Sequence, residues 1–146
     1  MAGYVAPGIR ALESLSDFID RPAAVVAGDF NANVIWGKRS GKGRRFADIL
    51  KLTEDKGLAS AWHHANRESH GSETRAPIFH MWSEAKPYHV DYAFVSSDLL
   101  PSVASVSLGA YADWVAPRIS DHVPMSVHLI SPLLTITQRD LISGDG

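Results

Sequence analysis

The chain has 146 residues, of which 45% are hydrophobic and 21% charged, and its formal net charge is −2. This size and balance are typical of one globular domain and disfavour a protein that coats itself in positive charge to bind nucleic acid non-specifically. The absence of cysteine excludes disulfides and thiolate metal sites and favours a cytoplasmic location. No apolar run reaches the roughly 18 residues that a membrane-spanning helix requires.

Hydrophobic periodicity predicts two helices in the first part of the chain. Apolar residues recur at three- and four-residue steps between Pro7 and Ile19, which is typical of an amphipathic helix. A second helix is predicted over residues 44–56, and Gly57 suits the position that ends it. The residues of the second helix that we expect to face inward are Phe46, Ile49, Leu50 and Thr53.

A run of small and apolar residues at 23–28 has no polar alternation, so we expect a strand that is buried on both faces. Because a helix leads directly into this strand, the pair is typical of the second half of a βαβ unit. Alternation in residues 89–95 places Tyr92 and Phe94 on the face opposite Asp91 and Ala93. The remaining predicted strands are 58–62, 77–82, 103–108 and 123–130, with loops at 31–43, 63–76 and 109–119 and a tail at 131–146 in which 133–136 could add an edge strand.

Three short patterns place an acid at or beside a predicted strand, namely GDFN at 28–31, VDYAFVS at 90–96 and SDHVP at 120–124. Carboxylate oxygens suit a hard divalent cation such as Mg²⁺. A histidine held by a second carboxylate can transfer a proton or hold a phosphoryl oxygen. An amide beside an acid can hold a water or donate to a developing oxyanion. Together these groups are the ones that metal-assisted hydrolysis of a phosphate ester requires.

The three patterns, in this order, resemble the endonuclease/exonuclease/phosphatase superfamily, whose members share a DNase I-like fold and line one active site with GDxN, a D-Y strand and SDHxP. The resemblance covers about residues 5–130 and is closest to compact bacterial members, judged from Trp36 and the stretch PYHVDYAFVS. It implies an α/β fold that is half of a four-layer sandwich, with a mixed sheet and helices on one face. Residues 1–130 would form this half-domain and residues 131–146 a tail.

The resemblance also implies an activity, a Mg²⁺- or Mn²⁺-dependent phosphodiesterase or nuclease. Asp29 would orient or deprotonate the attacking water, and Asn31 would contact the phosphoryl oxygens. His122 would bind the scissile phosphate and be held by Asp91. Asp121 would be a metal ligand, directly or through water, with Asn31 and Asp29 as further ligands.

The resemblance is to the C-terminal half of the family fold. The N-terminal half normally supplies an asparagine and the glutamate that is the main metal ligand, and no glutamate of this chain is an evident substitute. We therefore expect either a homo-oligomer or association with an N-terminal half, since the face that meets that half would be apolar and uncovered. The competing hypothesis is a non-catalytic remnant of the fold that acts by association. The substrate, nucleic acid or a small molecule, stays open.

Each motif residue also has a purely structural interpretation. Asp29 and Asn31 are residue types that cap turns, Asp91 could lie on an exposed strand face, and His122 could end a loop. The co-occurrence of the three motifs favours the site over these alternatives.

Side chains outside the motifs complete the list of candidates. The residues that we expect to contact substrate are Trp36, Arg39, His89 and Trp114. Five basic residues within 38–45 predict either a solvated loop or a phosphate-facing one, and their spacing is not that of a P-loop. The histidines between 63 and 89 show neither HExxH nor ligand pairs at helical spacing, so we expect no zinc site among them.

Overall fold

The structure is a computed structural model that describes residues 5–39 and 45–130. The helices are α1 (Val5–Ser14), α2 (Ser16–Ile19), α3 (Phe46–Asp55), α4 (Ala61–Asn66) and α5 (Tyr111–Trp114). The strands are β1 (Val25–Asp29), β2 (Leu58–Ser60), β3 (Ile78–Phe79), β4 (Pro87–Tyr88), β5 (Asp91–Ser96), β6 (Val103–Leu108) and β7 (Met125–Leu129). Three 3₁₀ turns lie at Val34–Arg39, His80–Trp82 and Leu100–Ser102.

Strand β5 is the centre of the fold, in a sheet of order β1-β5-β2, while β3 pairs with β4 and β6 with β7. Every strand pair in the described ranges is antiparallel. The predicted class, helices combined with sheets, is therefore confirmed. The predicted βαβ unit stays a prediction, because β1 pairs antiparallel with β5 and its other edge meets no strand of the described residues. The half-sandwich of the DNase I-like fold stays a prediction.

The two faces of β5 meet different partners, as its alternation predicts. Tyr92 and Phe94 pack in one core cluster with residues of α1 and α3. Ala93 and Val95 pack in the other cluster, with α4, β6 and β7. Because both faces are covered, β5 is buried along most of its length.

Helix α3 forms almost where the sequence predicts it. Phe46, Ile49 and Thr53 are buried. The helix ends at Gly57, whose φ of +67° suits glycine and whose N–H donates to the Glu54 carbonyl over 2.9 Å. Burial of this apolar face is the main stabilising contribution of the helix.

Strand β1 differs from its prediction, because it is not buried on both faces. Val25 is 48% exposed, and the outer edge of the strand pairs with no other strand in the described part of the chain. A cavity of about 530 Å³ lies between β1 and helices α1 and α2. The strand is apolar, as the sequence shows, but its burial on both faces also requires a covering layer, and the described residues do not supply one.

Other boundaries moved by a few residues. The predicted helix between Pro7 and Ile19 divides at Leu15 into α1 and α2, and the end of the strand predicted at 58–62 is instead the start of α4. The tail at 131–146 and its predicted edge strand lie outside the described residues. In the ranges that the structure describes, no helix is long and apolar enough to cross a membrane.

Candidate metal and catalytic site

The first two acids of the motifs meet across the sheet. Asp29 is the last residue of β1 and Asp91 the first of β5, and the antiparallel register places them directly opposite each other. Directly opposed residues of an antiparallel pair project their side chains from the same face at close distance. Two carboxylates that are about 60 positions apart in sequence are thus neighbours at one end of the sheet.

His122 reaches this end through the short strand β3. Its backbone forms a bridge with Ile78, and the neighbouring Val123 N–H donates to the Pro77 carbonyl over 2.7 Å. The imidazole Nδ1 lies 2.8 Å from Oδ2 of Asp91. An ionised carboxylate only accepts hydrogen bonds, so Nδ1 carries a proton and Nε2 is left to face other groups.

Asn31 folds back onto Asp29. The Asn31 backbone N–H donates to Asp29 Oδ1 over 2.7 Å, and its side-chain amide donates to Oδ2 over 2.6 Å. Its φ of +48° is a left-handed conformation that asparagine tolerates. The turn-capping interpretation of these two residues therefore holds, and it coexists with their place beside Asp91.

Asp29, Asp91 and His122 form a group whose ligand atoms all lie within 4.8 Å of one another. Burial raises the pKa of Asp91 and the negative charge of Asp29 raises it further, while His122 acts in the opposite direction. Oδ1 of Asp91 is buried with no hydrogen-bond partner in the described structure. A divalent cation would supply that partner and neutralise the two neighbouring carboxylates, so these residues fit Mg²⁺ or Mn²⁺. Asp121 is not one of the three side chains in this group.

Two hollows border the group. A groove of about 440 Å³ runs beside Asp29 and Asp91, and Met125 and Val127 of β7 form part of its apolar wall. A second pocket of about 270 Å³ is lined by Asn31 and by two aromatic side chains, Trp36 and Tyr88. The rings of Trp36 and Tyr88 meet edge to face with centroids 5.1 Å apart. The second pocket is therefore the better place for an organic part of a substrate.

The residues that we expect to contact substrate lie in different parts of the structure. Trp36 lines the pocket beside Asn31, and its contact with substrate stays a prediction. The backbone carbonyl of Trp114 accepts the Ser120 N–H over 3.2 Å, so Trp114 supports the loop that leads to His122. The side chain of Arg39, like most of the basic run, lies outside the described residues.

His89 does not reach this end of the sheet surface. It is 4% exposed, its Nδ1 lies 3.0 Å from the Arg75 carbonyl, and its ring contacts those of Trp62 and His63. Because His89 is buried, the structure does not support the expected contact between His89 and substrate. His89 directly precedes the VDYAFVS motif at 90–96. Its burial results from tertiary packing, which the local sequence does not reveal.

Sequence reasoning considered the histidines between 63 and 89 and predicted no zinc site, and it missed the cluster that two of them form with Glu73. His63 of α4 and two residues of the following loop, His70 and Glu73, also place their ligand atoms within 4.8 Å of one another. The spacing of seven and three residues fits no known short motif. The available signal was the density of histidine and glutamate between positions 63 and 73.

No model of a known protein family matches the sequence, and no curated protein matches it. The superfamily resemblance thus depends on the three motifs.

Proposed function

We propose that the protein is a divalent-metal-dependent hydrolase of phosphate esters, related to the endonuclease/exonuclease/phosphatase superfamily. The observation that carries this proposal is the convergence of Asp29, Asp91 and His122, one residue from each motif, within 4.8 Å. Capping residues and surface acids that served only their local segments would have no reason to meet at one point. Convergence of acids with a histidine is what hydrolysis of a phosphate ester requires.

Asp29 and Asp91 are the side chains that would hold the cation, which supplies Lewis-acid stabilisation of the phosphoryl oxygens when bound. The Asp29 carboxylate is exposed at the strand end and is placed to accept a proton from the attacking water. The Asn31 amide has two N–H donors and uses one on Asp29, so the other can donate to a phosphoryl oxygen. Asp91 fixes the ring of His122, whose Nε2 then faces the phosphate or the leaving oxygen.

The test is hydrolysis of bis(p-nitrophenyl) phosphate by the purified chain with Mg²⁺ or Mn²⁺ and with chelator. We expect turnover that requires the metal and falls by about 10²–10⁴-fold in His122→Ala. The matched control is His128→Ala, since His128 is an exposed histidine on β7 with no place in the site. Turnover that is unchanged by the chelator, or unchanged in His122→Ala, would contradict the proposal.

A second candidate is association through β1, as a fragment or remnant of the fold. It is favoured by the outer edge of β1, which pairs with no strand of the described residues, and by the 48% exposure of Val25, together with the apolar groove beside them. Sedimentation velocity should show a self-associated species that Val25→Lys dissociates. A compact monomer with full metal-dependent turnover would exclude this candidate.

A further inference from the structure

The cluster of His63, His70 and Glu73 lies on the opposite face of β5 from Asp91. His63 belongs to α4, and its ring lies against that of His70 with centroids 3.6 Å apart and the planes tilted by 30°. Its Nε2 lies 3.1 Å from Glu73 Oε1. The His63 ring is also parallel to that of Tyr92, which faces away from the Asp29 group along β5. The two clusters therefore lie on opposite faces of β5.

The loop between α4 and β3 is shaped to bring these groups together. Gly71 adopts a φ of +87°, and a Cβ there would lie 2.7 Å from a methyl of Val34, so only glycine fits. The turn lets the Gly71 N–H donate to Glu73 Oε1 over 2.9 Å. Asn33 adds two longer contacts to the same carboxylate. The carboxylate is thus held in a fixed position and is not left to a flexible side chain.

The charge of this pocket is unbalanced. The Glu73 side chain is 5% exposed and that of His63 9%. Burial raises the pKa of Glu73, but hydrogen bonds from Gly71, His63 and Asn33 outweigh it and leave the pKa lowered. Burial lowers the pKa of His63 and lowers that of His70 to about 4. At neutral pH, the pocket holds one buried carboxylate and two neutral imidazoles, and no lysine or arginine of the described residues pairs with Glu73.

Two buried nitrogen atoms near the carboxylate have no partner. Nδ1 of His70 and Nε2 of His89 make no hydrogen bond within the described structure. Nδ1 of His89 donates to the Arg75 carbonyl, which leaves Nε2 as the ring nitrogen that could contact a ligand. A histidine whose other nitrogen donates to a backbone carbonyl is the usual arrangement of a metal ligand. Leaving buried polar atoms unpaired costs free energy, so a group that pairs them would stabilise the fold.

We propose that His63, His70 and Glu73, whose ligand atoms all lie within 4.8 Å of one another, bind one Zn²⁺. Two imidazole nitrogens and one carboxylate form a donor set that suits zinc better than Mg²⁺, which prefers oxygen ligands. The hydroxyl of Ser60, 2.7 Å from Nδ1 of His63, would then accept its proton and orient the ring. The low exposure of the His63 and Glu73 side chains, 9% and 5%, is typical of a structural metal site.

The consequence would be a clamp between α4 and the loop before β3. Strand β3 forms the bridge to His122, so the clamp would stabilise the segment that positions the candidate catalytic histidine. Zinc at about 100 times its dissociation constant should raise the Tm of the chain by roughly 10 °C.

The test measures Zn²⁺ bound to the full chain by titration calorimetry, with metal analysis after dialysis. We expect one Zn²⁺ per chain, an affinity at least about 100-fold lower in His70→Gln, and wild-type affinity in His64→Gln. His64 is the matched control, because it is an exposed histidine on the same helix. Asp29→Asn should keep the zinc, which separates this cluster from the Asp29 group. Zinc lost in Asp29→Asn but kept in His70→Gln would overturn the proposal, as would no zinc at all.

A second measurement does not depend on the folding of a variant. Nitrogen NMR of the wild-type imidazoles should show that one equivalent of Zn²⁺ moves the resonances of His63 and His70. Those of the exposed residues His64, His80 and His128 should stay in place. Shifts confined to the exposed histidines would overturn the proposal.

Discussion

Strand β5 separates two clusters of three side chains that differ in donor type and exposure, Asp29, Asp91 and His122 on one side and His63, His70 and Glu73 on the other. Towards β7, Asp29 and Asp91 sit with one histidine at the end of the sheet, beside an open groove. Towards the loop that follows α4, two histidines sit with Glu73, and the side chains of His63 and Glu73 are 9% and 5% exposed, against 31% and 17% for His122 and Asp91. Two carboxylates at an accessible edge suit an oxygen-preferring cation and an exchanging substrate, whereas enclosed nitrogen donors suit a metal that stays bound. The comparison shows that access and donor type, more than the number of ligands, separate a candidate catalytic site from a candidate structural one.

The largest effect that we expect is on kcat, when the charge of the Asp91 carboxylate is removed. Asp91→Asn should lower kcat by about 10²–10⁴-fold, because the amide no longer holds His122 in the productive tautomer. Steady-state kinetics on a phosphodiester would measure it. Asp55→Asn, an exposed acid paired with Lys51 on α3, is the control and should leave kcat unchanged. Equal kcat in Asp91→Asn and Asp55→Asn would remove Asp91 from the site.

In a sample treated with chelator to remove metal, the cluster of His63, His70 and Glu73 should make the free energy of unfolding depend on pH. Burial lowers the pKa of His70 from 6.5 to about 4, so the folded chain binds fewer protons than the unfolded chain between those values. The free energy of unfolding should therefore fall as pH falls from 6.5 towards 4. The contribution of His70 is about 2 kcal/mol, after a reduction for solvent screening. Urea unfolding against pH measures it, and a His70→Gln chain with the same slope as wild type would contradict the assignment.

At the open end, the pocket beside Asn31 should matter for binding more than for chemistry. Trp36→Ala should raise KM about tenfold with kcat unchanged, because it removes an aromatic wall without touching the reacting groups. Trp114→Ala should not raise KM, since Trp114 is not among the residues that line this pocket. The same rise in KM for both variants would show that the sequence was right to group the two tryptophans.

The smallest expected effect concerns the hydrogen bonds beneath the enclosed cluster. The Tyr92 hydroxyl donates to the His89 carbonyl over 3.0 Å and accepts from Asn33. Tyr92→Phe should lower the free energy of unfolding by about 1 kcal/mol, since Asn33 keeps its own bond to that carbonyl. Chemical denaturation with an unchanged m-value would measure it. A loss of turnover in this variant at full stability would show that the two faces of β5 are coupled.

Much of the fold follows from local pattern, because periodicity reports which face of an element is apolar. The inward face of α3 and the alternation of Tyr92 and Ala93 along β5 were both predictable, and both are as predicted. The exposure of β1 was not predictable, because an apolar strand has the same sequence whether a neighbouring layer covers it or not. The antiparallel partner of β1 was also beyond local pattern, since pairing depends on contacts that are distant in sequence.

The sequence by itself determined the three motifs, their order and the chemistry that their side chains can perform. It placed Asp29 and Asn31 together, because a turn of three residues brings them close whatever surrounds them. The pairing of Asp91 with His122 was expected from the family resemblance and is present, whereas tertiary structure alone decided that His63 meets Glu73 across a loop. It also buried His89, which the sequence had assigned to the surface. The physical reason is that side-chain chemistry is local, whereas distance, burial and pKa are set by segments that meet only when the chain folds.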